Sequence, residues 1–399
     1  MKVLAAMSGG VDSAVAAARA VEAGYDVTGV HMALKTEGEA CGSTRGCSNP
    51  QDKADAAAAC AKLSIPFQVW DLADEFEENV IADFVEQYRM GRTPNPCVRC
   101  NEFVKFRELT VRARELGFDA VVTGHYARVE KHGDRHHLLR ARDLAKDQSY
   151  VLAVMGEEEL SRVILPLGDM PSKAAVRAEA EERGLGVSNK PDSFDICFIS
   201  DGDTQGFLRN RLGESAGNIV DTDGNVLGSH RGHFEYTVGQ RKGLGIDRPA
   251  ADGRPRYVLE TRPSENVVVV GPAELLSVDV VNTKDLVWDA GDDLADVRTV
   301  EAQPFGTDDD ECLYAQMRAH GKPVPIKEIE RVDDGLRVTL AERVRGIAPG
   351  QTLVLYRGNR VLSQSVIDST NRTNALNSAS ATPSEMNAKR VGEDAKVSA

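Results

Sequence analysis

A glycine-rich stretch near the start of the chain has the residue types and spacing that bind phosphate. The stretch reads Ala6, Met7, Ser8, Gly9, Gly10, Val11, Asp12, Ser13. An apolar run precedes it and strong helix formers follow it, which predicts a strand, a tight loop and a helix N-terminus. Two adjacent glycines permit positive φ and close backbone approach, so the N–H groups of the loop can converge on one anion.

The acidic residue in this stretch indicates a second ligand. Asp12 would repel a phosphate, and we therefore expect it to help hold a Mg²⁺ ion that the phosphates share. The loop has no Gly-Lys-Ser/Thr sequence and so lacks the lysine of a Walker A motif. It resembles the pyrophosphate loop of the ATP-pyrophosphatase superfamily instead. The simplest alternative is an ordinary strand-to-helix turn with an N-capping serine.

A second stretch, residues 93–101, carries two thiols, Cys97 and Cys100. Its two prolines predict an extended loop, and Asn101 is expected to cap the helix that follows. Cys100 would then lie beside a helix N-terminus among basic side chains, surroundings that lower the pKa of a thiol. Cys197 is far away in the sequence, so the pair can meet only in the folded protein.

Length and composition describe a globular protein. The chain has 399 residues, enough for two or three domains, with 41% hydrophobic and 28% charged residues. We find no signal peptide and no apolar run as long as a membrane span, and we expect the seven cysteines to be reduced in the cytoplasm. The net charge of −14 argues against nucleic-acid binding, but clusters of basic residues leave a basic face open.

Two patterns divide the chain. Strand and helix signals alternate up to about residue 125, which predicts a parallel sheet covered by helices on both faces. Ligands of such sheets bind at the carboxyl ends of the strands, where the glycine loop lies. From residue 204 short apolar runs separated by turn residues predict small β-rich domains. Residues 363–399 are poor in large apolar side chains, and we predict a disordered tail there.

Six motifs in a fixed order resemble those of the tRNA-specific 2-thiouridylase family. They are the glycine loop, residues 93–101, 123–127, 146–150, 192–199 and 236–245. The match covers about residues 1–360. The resemblance implies an ATP-dependent enzyme that converts the wobble uridine of tRNAs for Lys, Glu and Gln to 2-thiouridine. It also implies an ATP-pyrophosphatase domain at 1–203, a central domain at 204–283 and a β-barrel at 284–362.

The resemblance also implies an order of reaction. ATP would bind Ala6–Ser13, with Met32 and Gly124 near the nucleotide, and would adenylate O2 of the uracil. A cysteine desulfurase or a sulfur-relay protein would load a persulfide onto Cys197. Cys100 would act as the partner thiol that releases the sulfur, leaving a Cys100–Cys197 disulfide for reduction.

The same resemblance implies the contacts with the RNA. Asn95, Pro96 and Cys97 would lie against the flipped target base, since a base must leave the stack before it is modified. Six further residues would contact tRNA: His125, Lys146, Asp147, Gln148, Arg318 and Gln351. Some members of the family carry an aspartate where this chain has Cys97, so an acid or base step assisted by that aspartate would differ here. Members also often differ from this chain at Ala319, so the contact of the barrel with tRNA would differ at that position.

Other interpretations of the same residues stay open. Cys97, Cys100 and Cys197 could hold a [4Fe–4S] cluster with one iron open to sulfide. A structural zinc site would need a second ligand pair of comparable spacing, which the sequence does not offer. An amide-forming ATP pyrophosphatase would use the loop but leave the thiols without a task. An RNA-binding or iron–sulfur carrier protein would tolerate loss of Asp12, which the enzyme would not.

Overall fold

A five-stranded parallel sheet carries the glycine loop. The structure, a computed structural model, describes residues 1–34, 50–190, 196–199, 201–246, 253–288 and 312–373. The strand order is β3-β2-β1-β4-β7, and every neighbouring pair is parallel. The strands are β1 (Lys2–Ala6), β2 (Asp26–Ala33), β3 (Phe67–Asp71), β4 (Ala120–Val122) and β7 (Val163–Ile164). The predicted α/β class with a parallel amino-terminal sheet is confirmed.

Helices cover both faces of this sheet, as alternation along the strands requires. Val3 and Ala5 pack with α1, α2 and α9 in one cluster, whereas Leu4 packs with α6 in another. The α-helices are α1 (Val11–Glu22), α2 (Pro50–Lys62), α3 (Ala73–Phe76), α4 (Ala82–Arg89), α5 (Pro96–Arg99), α6 (Leu109–Glu115), α7 (Ser149–Leu152), α8 (Glu157–Leu160), α9 (Lys173–Glu182) and α10 (Thr204–Leu212). Helix α1 ends before Gly24, whose φ of +79° suits a helix C-terminus.

The helix after the second cysteine stretch begins earlier than predicted. Asn95, not Asn101, is the N-cap, because its side-chain oxygen accepts from the backbone N–H groups of Cys97 (3.1 Å) and Val98 (3.4 Å). Pro96 occupies the first helical position, where its missing N–H costs nothing. Asn101 is buried and donates to the Val151 carbonyl at 2.9 Å. A π-helical segment, Cys100–Glu108, joins α5 to α6, and another, Glu77–Ile81, joins α3 to α4.

The central part of the chain forms a small four-stranded sheet in the order β10-β11-β8-β9. These strands are β8 (Gly217–Val220), β9 (Val226–His230), β10 (Tyr257–Arg262) and β11 (Val267–Gly271). Their core contains Ile219, Val258 and Val268. The strands fall where the apolar runs between glycine and proline predict a β-rich region.

Six antiparallel strands close into a carboxy-terminal barrel, because β12 pairs with both β15 and β17. They are β12 (Ser277–Trp288), β13 (Leu313–Gln316), β14 (Val324–Val332), β15 (Gly335–Arg345), β16 (Thr352–Arg357) and β17 (Arg360–Asn371). A hairpin from the amino-terminal part, β5 (Ala127–His132) and β6 (Arg135–Arg140), adds to the barrel sheet by pairing with β17. The predicted start of a disordered tail at residue 363 is wrong, because 363–371 belong to β17. Residues 374–399 lie outside the described residues.

Among the described residues, no helix combines the length and apolar character needed to cross a lipid bilayer.

Candidate functional site

The glycine loop connects β1 to α1 in the predicted way. Gly9 has φ of +79°, and Gly10 is the extended N-cap residue of α1. The Ser13 hydroxyl donates to the Gly10 carbonyl at 3.0 Å and accepts from the Ser8 backbone N–H at 3.2 Å. The two serine hydroxyls lie 3.1 Å apart. The loop therefore presents hydroxyl groups and a helix N-terminus together, an arrangement that favours an anion.

The predicted nucleotide residues lie at the same edge of the sheet. Gly124 follows β4, which pairs with β1, and Met32 lies near the end of β2 on the other side of β1. A Cβ atom on Gly124 would lie 2.6 Å from the Asp12 carbonyl carbon and 2.7 Å from the Ser13 nitrogen. Only glycine lets this segment approach the start of α1 so closely.

Asp12 has two partners from distant parts of the chain. Its Oδ1 accepts from the Tyr126 hydroxyl at 2.6 Å, and its Oδ2 pairs with Lys173 Nζ at 2.5 Å. Lys173 is the first residue of α9, and its Nζ also lies 5.7 Å from the centre of the Tyr126 ring. A lysine is thus present at the loop even though the loop sequence contains none.

A second lysine fixes the other side of the loop. Lys190 Nζ donates to the Gly9 carbonyl at 3.0 Å and pairs with Asp52 Oδ1 at 2.6 Å and Asp55 Oδ2 at 2.5 Å. Burial lowers the pKa of Lys190, but the two carboxylates outweigh it and the net shift is upward. Burial raises the pKa of Asp55, and the hydrogen bonds from Lys190 and Gln51 outweigh that effect, so this carboxyl stays ionised. Because the Gly9 carbonyl faces Lys190, the N–H of the same trans peptide, that of Gly10, faces away from it.

His125 is adjacent to the nucleotide residues and uncharged. Its Nδ1 lies 2.9 Å from the Thr123 hydroxyl, and its ring packs 5.7 Å from the ring of Phe106. Burial, assisted by the charge of Lys105, lowers the pKa of His125 to about 3. A contact of His125 with RNA would therefore be made by a neutral ring.

The segment Lys146–Gln148 is bonded to the site through Gln148, and the carboxylate of Asp147 is buried. The Gln148 side-chain oxygen accepts from the Tyr126 backbone N–H at 2.8 Å. Asp147 pairs with Arg140 at 3.1 Å, and the exposed fraction of the Asp147 side chain is only 4%. The Asp147 carboxylate is thus engaged within the protein, and the contact of Asp147 with tRNA stays a prediction. Lys146 is partly exposed.

The two distant thiols belong to one hydrophobic cluster. Cys100, 5% exposed, belongs to a cluster that also contains Phe84 and Phe198, and partly buried Cys197 packs against it. Met32, a predicted nucleotide residue, packs against the same cluster. Both cysteines carry thiols. Cys100 lies five residues beyond its N-cap rather than beside a helix N-terminus, so that part of the prediction is wrong.

The remaining predicted residues lie on α5 and on the barrel. Cys97 is exposed on α5, and Asn95 lines a cleft of about 670 Å³ between α5 and the barrel. Gln351 precedes β16, between two residues that line this cleft. Arg318 is exposed on the turn after β13 and donates to the Gly346 carbonyl. In the parts of the chain that the structure describes, no three His, Cys, Asp or Glu side chains are grouped to hold a metal ion.

Sequence reasoning missed Lys173, Lys190 and Tyr126. Each contacts the loop from more than 100 residues away. The only signal in the sequence was indirect: a phosphate loop without a lysine of its own needs a cation from elsewhere.

Comparisons with known proteins cover most of the chain and indicate one family. Three family models match: "tRNA methyl transferase HUP domain" at residues 1–201, "tRNA methyl transferase PRC-barrel domain" at 205–272 and "Aminomethyltransferase beta-barrel domain" at 299–367. A protein of Beutenbergia cavernae named tRNA-specific 2-thiouridylase MnmA is 56% identical over 93% of this chain and 96% of its own. Proteins of the same name from Kocuria rhizophila and Streptomyces coelicolor are 55% and 53% identical, over 92% and 94% of this chain and 97% and 96% of theirs.

Proposed function

The chain belongs to the tRNA-specific 2-thiouridylase family, and we propose that it thiolates the wobble uridine of tRNA by adenylation at the glycine loop followed by sulfur transfer through Cys100 and Cys197. The matching family models have descriptions that name methyl transfer, whereas the relatives are named for thiolation. Two thiols that share a cluster with a nucleotide-site residue favour sulfur chemistry. They would have no task in an amide-forming ATP pyrophosphatase.

The shared cluster of Cys100, Cys197 and Met32 is the observation that carries the sulfur step. A cysteine desulfurase or relay protein would leave a persulfide on Cys197. The Cys100 thiolate then attacks the inner sulfur, and the outer sulfur bonds to C2 of the uracil as AMP leaves with O2. A Cys100–Cys197 disulfide remains, and a reductant returns it to two thiols.

The adenylation step rests on the glycine loop. Its hydroxyl and N–H groups would bind the triphosphate of ATP, and the close approach of Gly124 would shape the wall of the site. Asp12 is the carboxylate that would hold a Mg²⁺ ion, which would neutralise phosphate charge. Each of its oxygens accepts from one protein group, Tyr126 or Lys173, and keeps a second lone pair that could face the ion.

The RNA contacts would come from three regions. Arg318 and Gln351 on the barrel would hold the tRNA, and Asn95, Pro96 and Cys97 would contact the flipped base at the cleft between α5 and the barrel. Near the nucleotide, His125, Lys146 and Gln148 would complete the contact.

A route through a [4Fe–4S] cluster has less support. It requires Cys97, Cys100 and Cys197 to converge, but Cys97 is exposed on α5 while Cys100 is buried. No group of three suitable ligands occurs among the described residues. Iron and sulfide analysis of anaerobically purified protein tests this route, which predicts about four irons per chain.

The direct experiment is thiolation of an unmodified tRNA transcript with a persulfide donor, with ATP–pyrophosphate exchange measured alongside. We expect Cys100→Ser and Cys197→Ser to form no 2-thiouridine yet to keep exchange within about twofold of wild type, because they act after adenylation. Asp12→Asn should lose both activities. Cys60→Ser is the matched control, because Cys60 is a buried cysteine of α2 outside this cluster. Substantial thiolation by either serine variant of the pair would overturn the sulfur route.

A further inference from the structure

A series of polar contacts, continued by the peptide bond between Asp147 and Gln148, joins the exposed turn after β13 to the glycine loop. We infer that Arg140 is a positioning residue through which tRNA on the barrel sets the geometry of the nucleotide site. The inference rests on the proposed function, since it takes Arg318 as a tRNA contact and the loop as the ATP site.

At the barrel, this series of contacts begins with Gln316 on β13, whose side chain is buried. Its Nε2 donates to the carbonyls of Arg318 at 2.9 Å and Ala319 at 3.1 Å. Its Oε1 accepts from the Arg140 guanidinium at 2.7 Å. The Gln316 amide therefore bonds both the backbone of the exposed turn and Arg140, so a shift of the turn would move the Arg140 guanidinium.

The centre is the buried ion pair of Arg140 and Asp147, whose side chains are 5% and 4% exposed. The guanidinium also stacks 3.8 Å from the ring centre of Tyr356 on the barrel. Asp147 accepts from the Ala141 backbone N–H at 2.9 Å and the Ser149 hydroxyl at 2.8 Å. Because a buried charge that loses its partner is costly, Arg140 and Asp147 move together or not at all.

The contacts towards the nucleotide site begin at Gln148, the residue after Asp147. Gln148 is bonded to Tyr126 twice, through its side-chain oxygen and its backbone N–H, each at 2.8 Å. Tyr126 in turn donates from its hydroxyl to Asp12 at 2.6 Å. A shift of the segment that contains Asp147 would thereby move the carboxylate of Asp12, the proposed Mg²⁺ ligand.

Through these contacts, tRNA on the barrel would raise the affinity of the glycine loop for ATP. Coupling between two sites of a protein is commonly worth about 5- to 150-fold in affinity. Arg140 belongs to the hairpin that joins the barrel sheet, and its side chain contacts both the barrel and the segment that leads to the nucleotide site.

The test measures the affinity of the full-length protein for a non-hydrolysable ATP analogue by calorimetry, with and without unmodified tRNA, because exchange itself needs the uracil of tRNA as the adenylyl acceptor. We expect Gln316→Met, which cuts the link to the turn but leaves the ion pair, to reduce the gain in affinity caused by tRNA about tenfold, while the affinity without tRNA stays at the wild-type level. Arg140→Met should lose this gain too, and Arg140→Lys should restore part of it. Arg209→Met is the matched control, because it breaks an ion pair with Glu235 outside this series of contacts.

The outcomes separate the inference from the function on which it rests. A purely structural task predicts that Gln316→Met lowers the affinity for the ATP analogue in equal proportion with and without tRNA, together with the melting temperature, and that result would overturn the inference. A wild-type affinity that is equal with and without tRNA would overturn it as well and leave the proposed function standing. Absence of ATP–pyrophosphate exchange by the wild type in the presence of tRNA would overturn both. Should Arg140→Met fail to fold, Gln316→Met alone decides.

Discussion

Gly124 is the position where we expect the smallest added side chain to remove the most activity. An alanine Cβ there would lie 2.6 Å from the Asp12 carbonyl carbon, whereas ordinary contact begins at 3.4 Å. The segment after β4 must therefore retreat by about 0.8 Å, because the atoms it meets are backbone and cannot rotate away. Overpacking of this kind costs about 1–3 kcal/mol of stability.

The effect on catalysis should exceed the effect on folding. A displacement near 1 Å at a reacting geometry can cost about 100-fold in rate, which is about 2.7 kcal/mol of activation free energy. We expect Gly124→Ala to lower ATP–pyrophosphate exchange by that factor and to lower the melting temperature by a few degrees, both measured in the same preparation. The affinity for ATP, measured by calorimetry, should fall as well.

Gly156→Ala is the control, since the nearest atom to its added Cβ, at 3.3 Å, is the mobile carboxylate end of Glu159. That variant should keep full exchange. Wild-type exchange by Gly124→Ala would refute the reasoning, because it would mean that the loop and the start of α1 can separate without consequence.

Three further expectations follow from single side chains. Lys173→Gln should weaken ATP binding about tenfold by calorimetry, through loss of a charge-assisted bond, while Lys62→Gln at the far end of α2 leaves it unchanged. Because folding lowers the pKa of His125 to about 3, its ring should stay neutral when acidified to about pH 5, and the fold should lose stability there since the unfolded chain gains the proton. An NMR titration midpoint near 6.5 would contradict this. Burial raises the pKa of Cys60 to about 11, so iodoacetamide at about pH 8 should label exposed Cys97 and spare Cys60, as peptide mass spectrometry can show.

Local features of the fold were predictable because local sequence determines them. The strand, loop and helix around Gly9 follow from residue propensities and turn chemistry over about twenty residues. The start of α5 could not be predicted with the same accuracy, because either Asn95 or Asn101 could serve as its N-cap. Pro96, which favours the first helical position, is the signal in the sequence that indicates Asn95.

Long-range features were not predictable from spacing. Lys173 and Lys190 reach the loop from α9 and from the segment after it, and nothing in their surroundings in the sequence marks them. Asp147 shows the opposite case, because a residue type suited to polar contact is buried against Arg140. A one-dimensional pattern gives the type of a side chain but not which neighbour neutralises it.

The order in which the ribosome makes this chain has a consequence for the β5–β6 hairpin. About 220 residues separate Arg140 from Arg360, the residue at which β17 begins to complete the shared sheet. At bacterial and eukaryotic synthesis rates that interval is roughly 10–45 s, during which the β6 edge has no native strand beside it. A nascent chain stalled in this interval would expose an unpaired edge, and fragments that end before β17 should aggregate when expressed.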